Sequence, residues 1–326
     1  MAFRKLKTTL RRNKIGYYAI NYLRQVIPVG LYRRALQRKL TAAINGYDKS
    51  YLADRVNYYN KLNERTSPGG TAIMLKDMEI FKSPKTYNFD TFEFTRYFDQ
   101  RFKASFVFGD AINTFPEPSI QKSRPIEGDN RNAILLKLDK KRHFIFIKDH
   151  VRFENKKDLL IGRGAMTQAH RMRFMEMYFN HPLCDIGQVN IRGGKPEWIK
   201  PKISIEDHLP YKFILSLEGN DVATNLKWIM SSNSIAVMPK PKYETWFMEG
   251  RLIAGTHYIE IKDDYSDLES KLQYYIAHPE EAQAIARNAN QYVSQFFDSR
   301  RESLISLLVL QKYFYYTSQT DQPVKF

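Results

Sequence analysis

From Lys157 onward, short continuous apolar runs alternate with amphipathic stretches, the pattern of buried strands separated by helices. Leu159-Leu160-Ile161 reads as a strand running into Gly162-Arg163-Gly164, with a helix over Ala165 to Tyr178. Tyr211 to Leu217 reads as a strand that stops at Glu218-Gly219-Asn220-Asp221. A helix is expected over Val222 to Ser231, then a buried strand over Ser234 to Met238 that Pro239 and Pro241 terminate. Tyr243 to Glu249 is expected to open another helix, and His257 to Ile261 to form a further strand. Ser266 is expected to cap a helix with Leu268, Leu272, Tyr275 and Ile276 on one face. Pro279 suits the first turn of the next, whose stripe is Ala282, Ile285, Ala286, Ala289, Val293 and Phe296. A last helix spans Ser299 to Tyr315. Such alternation predicts an α/β fold with a mostly parallel, doubly wound sheet.

Upstream the pattern is less regular. Residues 45–65 are polar, Tyr-rich and expected to be helical, and Ser67-Pro68-Gly69-Gly70 is a turn. Ala104 to Phe108 reads as a strand ending at Gly109-Asp110. Ala133 to Leu138 and His143 to Lys148 read as two strands joined by the charged turn 139–142. Between them lies the loop Thr114 to Asn132, of a length that is uncommon without a functional reason.

Charge changes the picture at one end. The chain of 326 residues carries a formal net charge of +16, and residues 1–40 hold eleven Lys or Arg and no acid. Apolar residues such as Ile15, Tyr22, Leu23 and Val26 interleave these cations. The combination suits a helix lying on an anionic membrane surface; a solvated basic helix packed on the domain is the alternative. No recognition motif accompanies the charge, so nucleic acid is not expected as a partner. No apolar run is long enough for a membrane span, and no signal-peptide pattern is present. A cytoplasmic location, peripheral on the inner face of the plasma membrane, is the expectation. Cys184 stands alone, which excludes an intramolecular disulfide.

In open parallel sheets, ligands bind beyond the carboxyl ends of the strands. Two such ends suit a phosphate. The first is Gly162-Arg163-Gly164 with Thr167, where backbone N–H groups, a guanidinium and a helix N-terminus would meet an anion. Thr167 replaces the third glycine of a dinucleotide fingerprint, so a nicotinamide enzyme is disfavoured. Packing glycines beside a surface Arg are the plainer alternative. The second end is Gly219-Asn220-Asp221 through Ala223 and Asn225 to Lys227, a second cradle or an ordinary capped helix. No Walker A, GxSxG or DxD sequence occurs, and no metal site is expected.

Taken together these segments resemble glycosyltransferase family 90, with its CAP10-like, lipopolysaccharide and protein O-glucosyltransferase members. The likeness rests on EGND-x-A-x-N-x-K at 218–227, on Y-E-x-W at 243–246 and on His257-Tyr258. Upstream it rests on R-G-x-x-T-x-x-x-R from Arg163 to Arg171, and on Lys122 to Ile126 and Leu138 to Phe144. The resemblance implies a GT-B-type fold, two Rossmann-like domains facing across a cleft. On that plan residues 1–44 form a basic arm, 45–155 an acceptor domain and 156–298 a nucleotide-sugar domain. The helix within 299–326 is expected to return to the first domain. The resemblance further implies an inverting, metal-independent hexose transfer from a UDP-sugar to a lipopolysaccharide-core or other glycan acceptor. Asp110 is the implied base. Arg163 is the implied counterion of the diphosphate, assisted by Gly164, Thr167, Arg171, Gly219, Asn220, Asp221, Ala223, Asn225 and Lys227. Tyr243 and Glu244 are expected near the ribose or sugar. The rival reading is a peripheral membrane binding protein that keeps the fold without turnover.

Overall fold

The computed structural model describes residues 14–44 and 46–326. Arg4, Lys5, Lys7, Arg11 and Arg12 of the basic arm lie outside the described residues. Contacts divide the chain into two compact units. One comprises residues up to Arg142 together with Asp298–Phe326, and the other is His143–Phe297. The sequence plan drew these divisions at 155/156 and 298/299.

The first unit carries a four-stranded sheet ordered β1-β2-β3-β5, formed by β1 (Ile73–Met74), β2 (Lys103–Val107), β3 (Ser119–Gln121) and β5 (Ala133–Leu135). A short β4 (Ser123–Pro125) follows β3. β2, β3 and β5 run parallel, with Phe106 opposite Ile120 and Ile120 opposite Ile134; β1 is antiparallel to β2. Parallel pairing gathers the residues that follow β2, β3 and β5 on one edge. Helix Ser299–Tyr316 is buried along nearly its whole length, Leu304 to Leu310 included, so it is a core element rather than a surface helix. The Asp298 side chain caps it by accepting from the Arg300 and Arg301 amides. Arg55 of helix Lys49–Tyr59 pairs with Glu302 at 3.0 Å, both side chains being buried. Losing either partner would strand a charge in the core, so this pair fastens the end of the chain to its beginning.

The second unit holds a five-stranded, all-parallel sheet ordered β11-β9-β8-β6-β7. Its strands are β6 (Lys157–Gly164), β7 (Cys184–Gln188), β8 (Tyr211–Leu215), β9 (Ile235–Met238) and β11 (Ile259–Glu260); β10 (Tyr243–Thr245) is a separate short strand. β9 is buried at every position, and so is β8 after Tyr211, as expected for strands covered on both faces. Phe213, Ile235 and Val237 pack with Phe174 and Met175 of helix Ala169–Tyr178, and with Leu268, Leu272 and Ile285 of helices Leu268–Ala277 and Pro279–Ser294.

Several expected elements differ. His143 to Lys148 is not a strand: Asp139 adopts a left-handed conformation (φ 49°), a helical turn Lys140–His143 follows, and the Ile147 amide donates to Ser231 Oγ. Tyr243 to Glu249 does not open a helix. The Thr245 amide donates to the Glu249 carboxylate, Met248 is left-handed (φ 58°), and β10 runs into a tight turn. The helix expected from Ala165 starts at Ala169, because the Met166 amide is taken by Asn190 Oδ1. The one expected from Val222 is shortened to Leu226–Met230. Ser266 bonds Asp264 rather than capping a helix. Helix Lys85–Thr95 lies in the stretch 71–103, where no helix was expected.

Candidate active site

The second unit carries a cavity of about 260 Å³ at the carboxyl ends of β8 and β9. Its position follows from how each strand stops. After β8, Ser216 to Glu218 continue extended until Gly219 turns the chain, its amide closing onto Asp221 O at 2.9 Å. After β9, Pro239 and Pro241 lack the N–H that a further ladder would need, so the chain leaves the sheet. The Glu218 carboxylate ties the two exits together by accepting from the Lys242 and Tyr243 amides at 3.1 and 3.2 Å. Burial pushes this carboxyl up to about 7, against the lowering effect of those two donors. Of the expected donor residues, Gly219, Asn220, Ala223 and Tyr243 line the cavity. His170, in the first turn of helix Ala169–Tyr178, lines it too.

Arg171 lies beside this cavity and explains its shape. Its guanidinium donates to Glu218 O and Leu217 O at 2.8 Å each and to Ala165 O at 3.1 Å, clasping the exits of β6 and β8. A side-chain carbon placed on Gly219 would come within 3.4 Å of that guanidinium. Only carbonyl oxygens hold Arg171, so its positive charge has no carboxylate partner among the described residues.

Arg163 is directed elsewhere. Its guanidinium pairs with Asp185 at 2.8 Å and donates to the Asp185 and Gly162 carbonyls. Asp185 also accepts from Tyr211, the first residue of β8, and from Lys200. Arg163 therefore points back toward the start of the strands and does not line the cavity. Gly162 follows the plainer reading: a Cβ there would meet Leu215 at 3.0 Å. Lys227 is fully buried in an ion pair with Glu249 under the Phe247 ring. Asn225 is turned inward, donating to Leu215 O and accepting from Ser216 Oγ. Gly164, Thr167, Asp221 and Glu244 do not line the cavity either.

The first unit has its own cluster at the carboxyl edge of its sheet. Gly109, at φ +109°, is the residue type that tolerates this turn out of β2, and it presents Asp110. Lys122, the residue after β3, is buried and donates to Asp110 Oδ1 at 2.6 Å, while Asp110 remains partly exposed. Lys122 also hydrogen-bonds Tyr87, whose hydroxyl burial pushes up. Asp139, beyond β5, is buried and its carboxyl is raised by that burial, with the nearby Asp110 charge adding to the effect. Two carboxyls in contrasting surroundings lie near one buried ammonium, which pairs with Asp110, an arrangement suited to moving a proton. Sequence reading singled out Asp110 but gave no role to Lys122 or Asp139, which only the parallel pairing of β2, β3 and β5 brings near it.

Comparison with known proteins bears on what these sites serve. The pattern of the glycosyl transferase family 90 matches residues 137–317, more than half of the chain. The O-glucosyltransferase LpsA of Dichelobacter nodosus is 46% identical over 269 residues, covering 82% of this chain and 83% of that protein. Protein O-glucosyltransferase 3 of Homo sapiens is 26% identical over 165 residues, 49% of this chain and 32% of its own length. Protein O-glucosyltransferase 2 of Danio rerio is 30% identical over 90 residues, 28% of this chain and 18% of its own. With a match of that extent, and a relative this similar across four fifths of both lengths, the chain belongs to glycosyl transferase family 90.

Proposed function

We propose that this glycosyltransferase moves a hexose, glucose by the name of its 46%-identical relative, from a UDP-sugar to a hydroxyl of a lipopolysaccharide-core or other glycan acceptor. The observation that carries the donor half of this reading is the cavity bounded by Gly219 and Tyr243, with the carboxylate-free Arg171 behind it. A small residue admits a diphosphate close to the backbone, and a cation without an acidic partner favours an anion nearby. Tyr243 and Asn220 supply groups for the ribose or the sugar.

Asp110 is the proposed base. The acceptor oxygen attacks the anomeric carbon, its proton passes to the Asp110 carboxylate, and the bond to the diphosphate breaks with its electron pair leaving on UDP. One displacement inverts the anomeric configuration. The Lys122 ammonium holds the carboxylate in place and compensates its charge. Protein groups alone stabilise the departing diphosphate in this reading, so no metal takes part.

The test is a UDP-sugar panel assayed with a glycan acceptor in EDTA. Transfer from UDP-glucose that persists in EDTA, with inverted product, is expected. A strict metal requirement, a retained configuration, or no UDP-sugar binding would refute the reading.

A further inference from the structure

Helix Lys14–Val26 is inside out for a surface helix. Its inward side carries Tyr17 and Asn21, both buried; the Tyr17 hydroxyl donates to Asp90 at 2.8 Å. Arg24 is spent on Glu93 at 2.9 Å. The outward side carries Ile15, Ala19, Leu23 and Val26, the i, i+4, i+8, i+11 spacing of a single stripe, while Tyr22 at its border stacks on Phe81 and packs edge-on against Phe89. Ile15 is 77% exposed, Leu23 67% and Val26 79%. Ile27 and Leu31 extend the patch to helix Val29–Ile44, where Leu31, Arg34 and Arg38 share a face at i, i+3 and i+7. Arg34 and Arg38 are exposed, and neither makes an ion pair among the described residues. Contiguous apolar surface of this kind marks an interaction site.

The charge selects the occupant. Residues 1–40 contain no Asp or Glu, and Arg34 and Arg38 border this face without an ion pair among the described residues, so a second copy docking on it would bring like charges together. An anionic bilayer offers an apolar layer and negative headgroups at once, and demands no complementary shape. We propose that the Ile15–Leu23–Val26 stripe, with Leu31, inserts at the headgroup–acyl boundary of an anionic membrane while Arg34 and Arg38 contact lipid phosphates. This inference is independent of the donor and acceptor chemistry above.

The experiment uses the full chain and sedimented vesicles of phosphatidylcholine alone or mixed with phosphatidylglycerol. Binding to the mixed vesicles only, weakening as salt rises, is expected. Leu23→Asp with Val26→Asp should lower that binding at least tenfold, with the melting temperature and transfer to a soluble acceptor unchanged. Arg34→Glu with Arg38→Glu should lower it about tenfold at low salt and far less at high salt. Equal binding of the Asp variant, or no binding of the parent chain to the mixed vesicles, overturns the proposal. So does light scattering that finds a dimer which Leu23→Asp with Val26→Asp dissociates, because a second copy would then cover the stripe.

Discussion

The parallel strands of the two sheets end in different ways. At the carboxyl edge of β2, β3 and β5, charged side chains converge: Asp110, Asp139 and the buried ammonium of Lys122. At the carboxyl edge of β8 and β9 the small residues Gly219, Ala223, Pro239 and Pro241 leave a cavity, lined also by Glu218, Lys240, Lys242, Glu249 and Asp263, and the nearest guanidinium is fixed by carbonyls. The first edge suits the transfer of a proton, which needs a carboxylate at one defined point. The second suits a large anion, which needs room and close backbone. Side chains that looked donor-directed in the second unit, Arg163 and Lys227, serve its internal packing instead.

That contrast can be broken by removing one edge at a time. The largest effect is expected for Asp110→Asn. Transfer should fall by about 10²- to 10⁴-fold, the usual worth of a positioned base, while UDP affinity by calorimetry stays near that of the parent. An unchanged rate removes Asp110 from its role. Next comes Lys227→Met, which strands the Glu249 carboxylate in the core and should cost about 3–5 kcal/mol in denaturant unfolding. Adding Glu249→Gln should recover most of that loss and leave UDP-sugar affinity close to the parent's. Loss of affinity that persists in the double variant and is absent from Glu249→Gln alone would mean that Lys227 does meet the diphosphate, since Glu249 itself lines the cavity.

Arg171→Gln should weaken UDP-sugar binding by about tenfold, since it removes both the clasp and a charge worth about 1–2 kcal/mol to a nearby anion. Arg163→Gln should leave that affinity within a factor of about two, its charge being already matched by Asp185. The smallest effect concerns pH. Below about 7 the Glu218 carboxyl is protonated and neutral, and above it a negative charge lines the cavity proposed for the diphosphate. UDP-sugar affinity should therefore decline as pH rises through 7, and Glu218→Gln should flatten the profile. Stability has the same sign: the folded carboxyl holds its proton to higher pH than the unfolded one, so this group's contribution is full below its ordinary value of 4.5 and is lost as pH rises to about 7.

Much of the α/β fold was legible because buried strands such as β8 and β9 are continuous apolar runs, and the helix at Pro279 carries its stripe openly. What failed was local or directional. Tyr243 to Glu249 has a helix-like composition, but its Thr245 amide goes to a carboxylate four residues on and its Tyr243 amide to Glu218, which no periodicity reveals. Arg163 follows a Gly and precedes another, as a phosphate loop would. Its direction was set by Asp185, a partner 22 positions away on the neighbouring strand. Lys122 and Asp139 lie in segments that carry the family likeness, but their closeness to Asp110 required knowing that three short strands, β2, β3 and β5, lie side by side. The Glu218 signal was present in the EGND segment, yet its burial depended on the second loop, 239–243, folding across it.

The central claim is that the diphosphate sits at the exits of β8 and β9. Hydrogen exchange with and without UDP tests it most directly. Slowed exchange is expected at 216–223 and at the non-proline amides of 239–243, with the amides of 162–164 unchanged. Protection confined to 162–164, with the β8 and β9 exits unaffected, would contradict it.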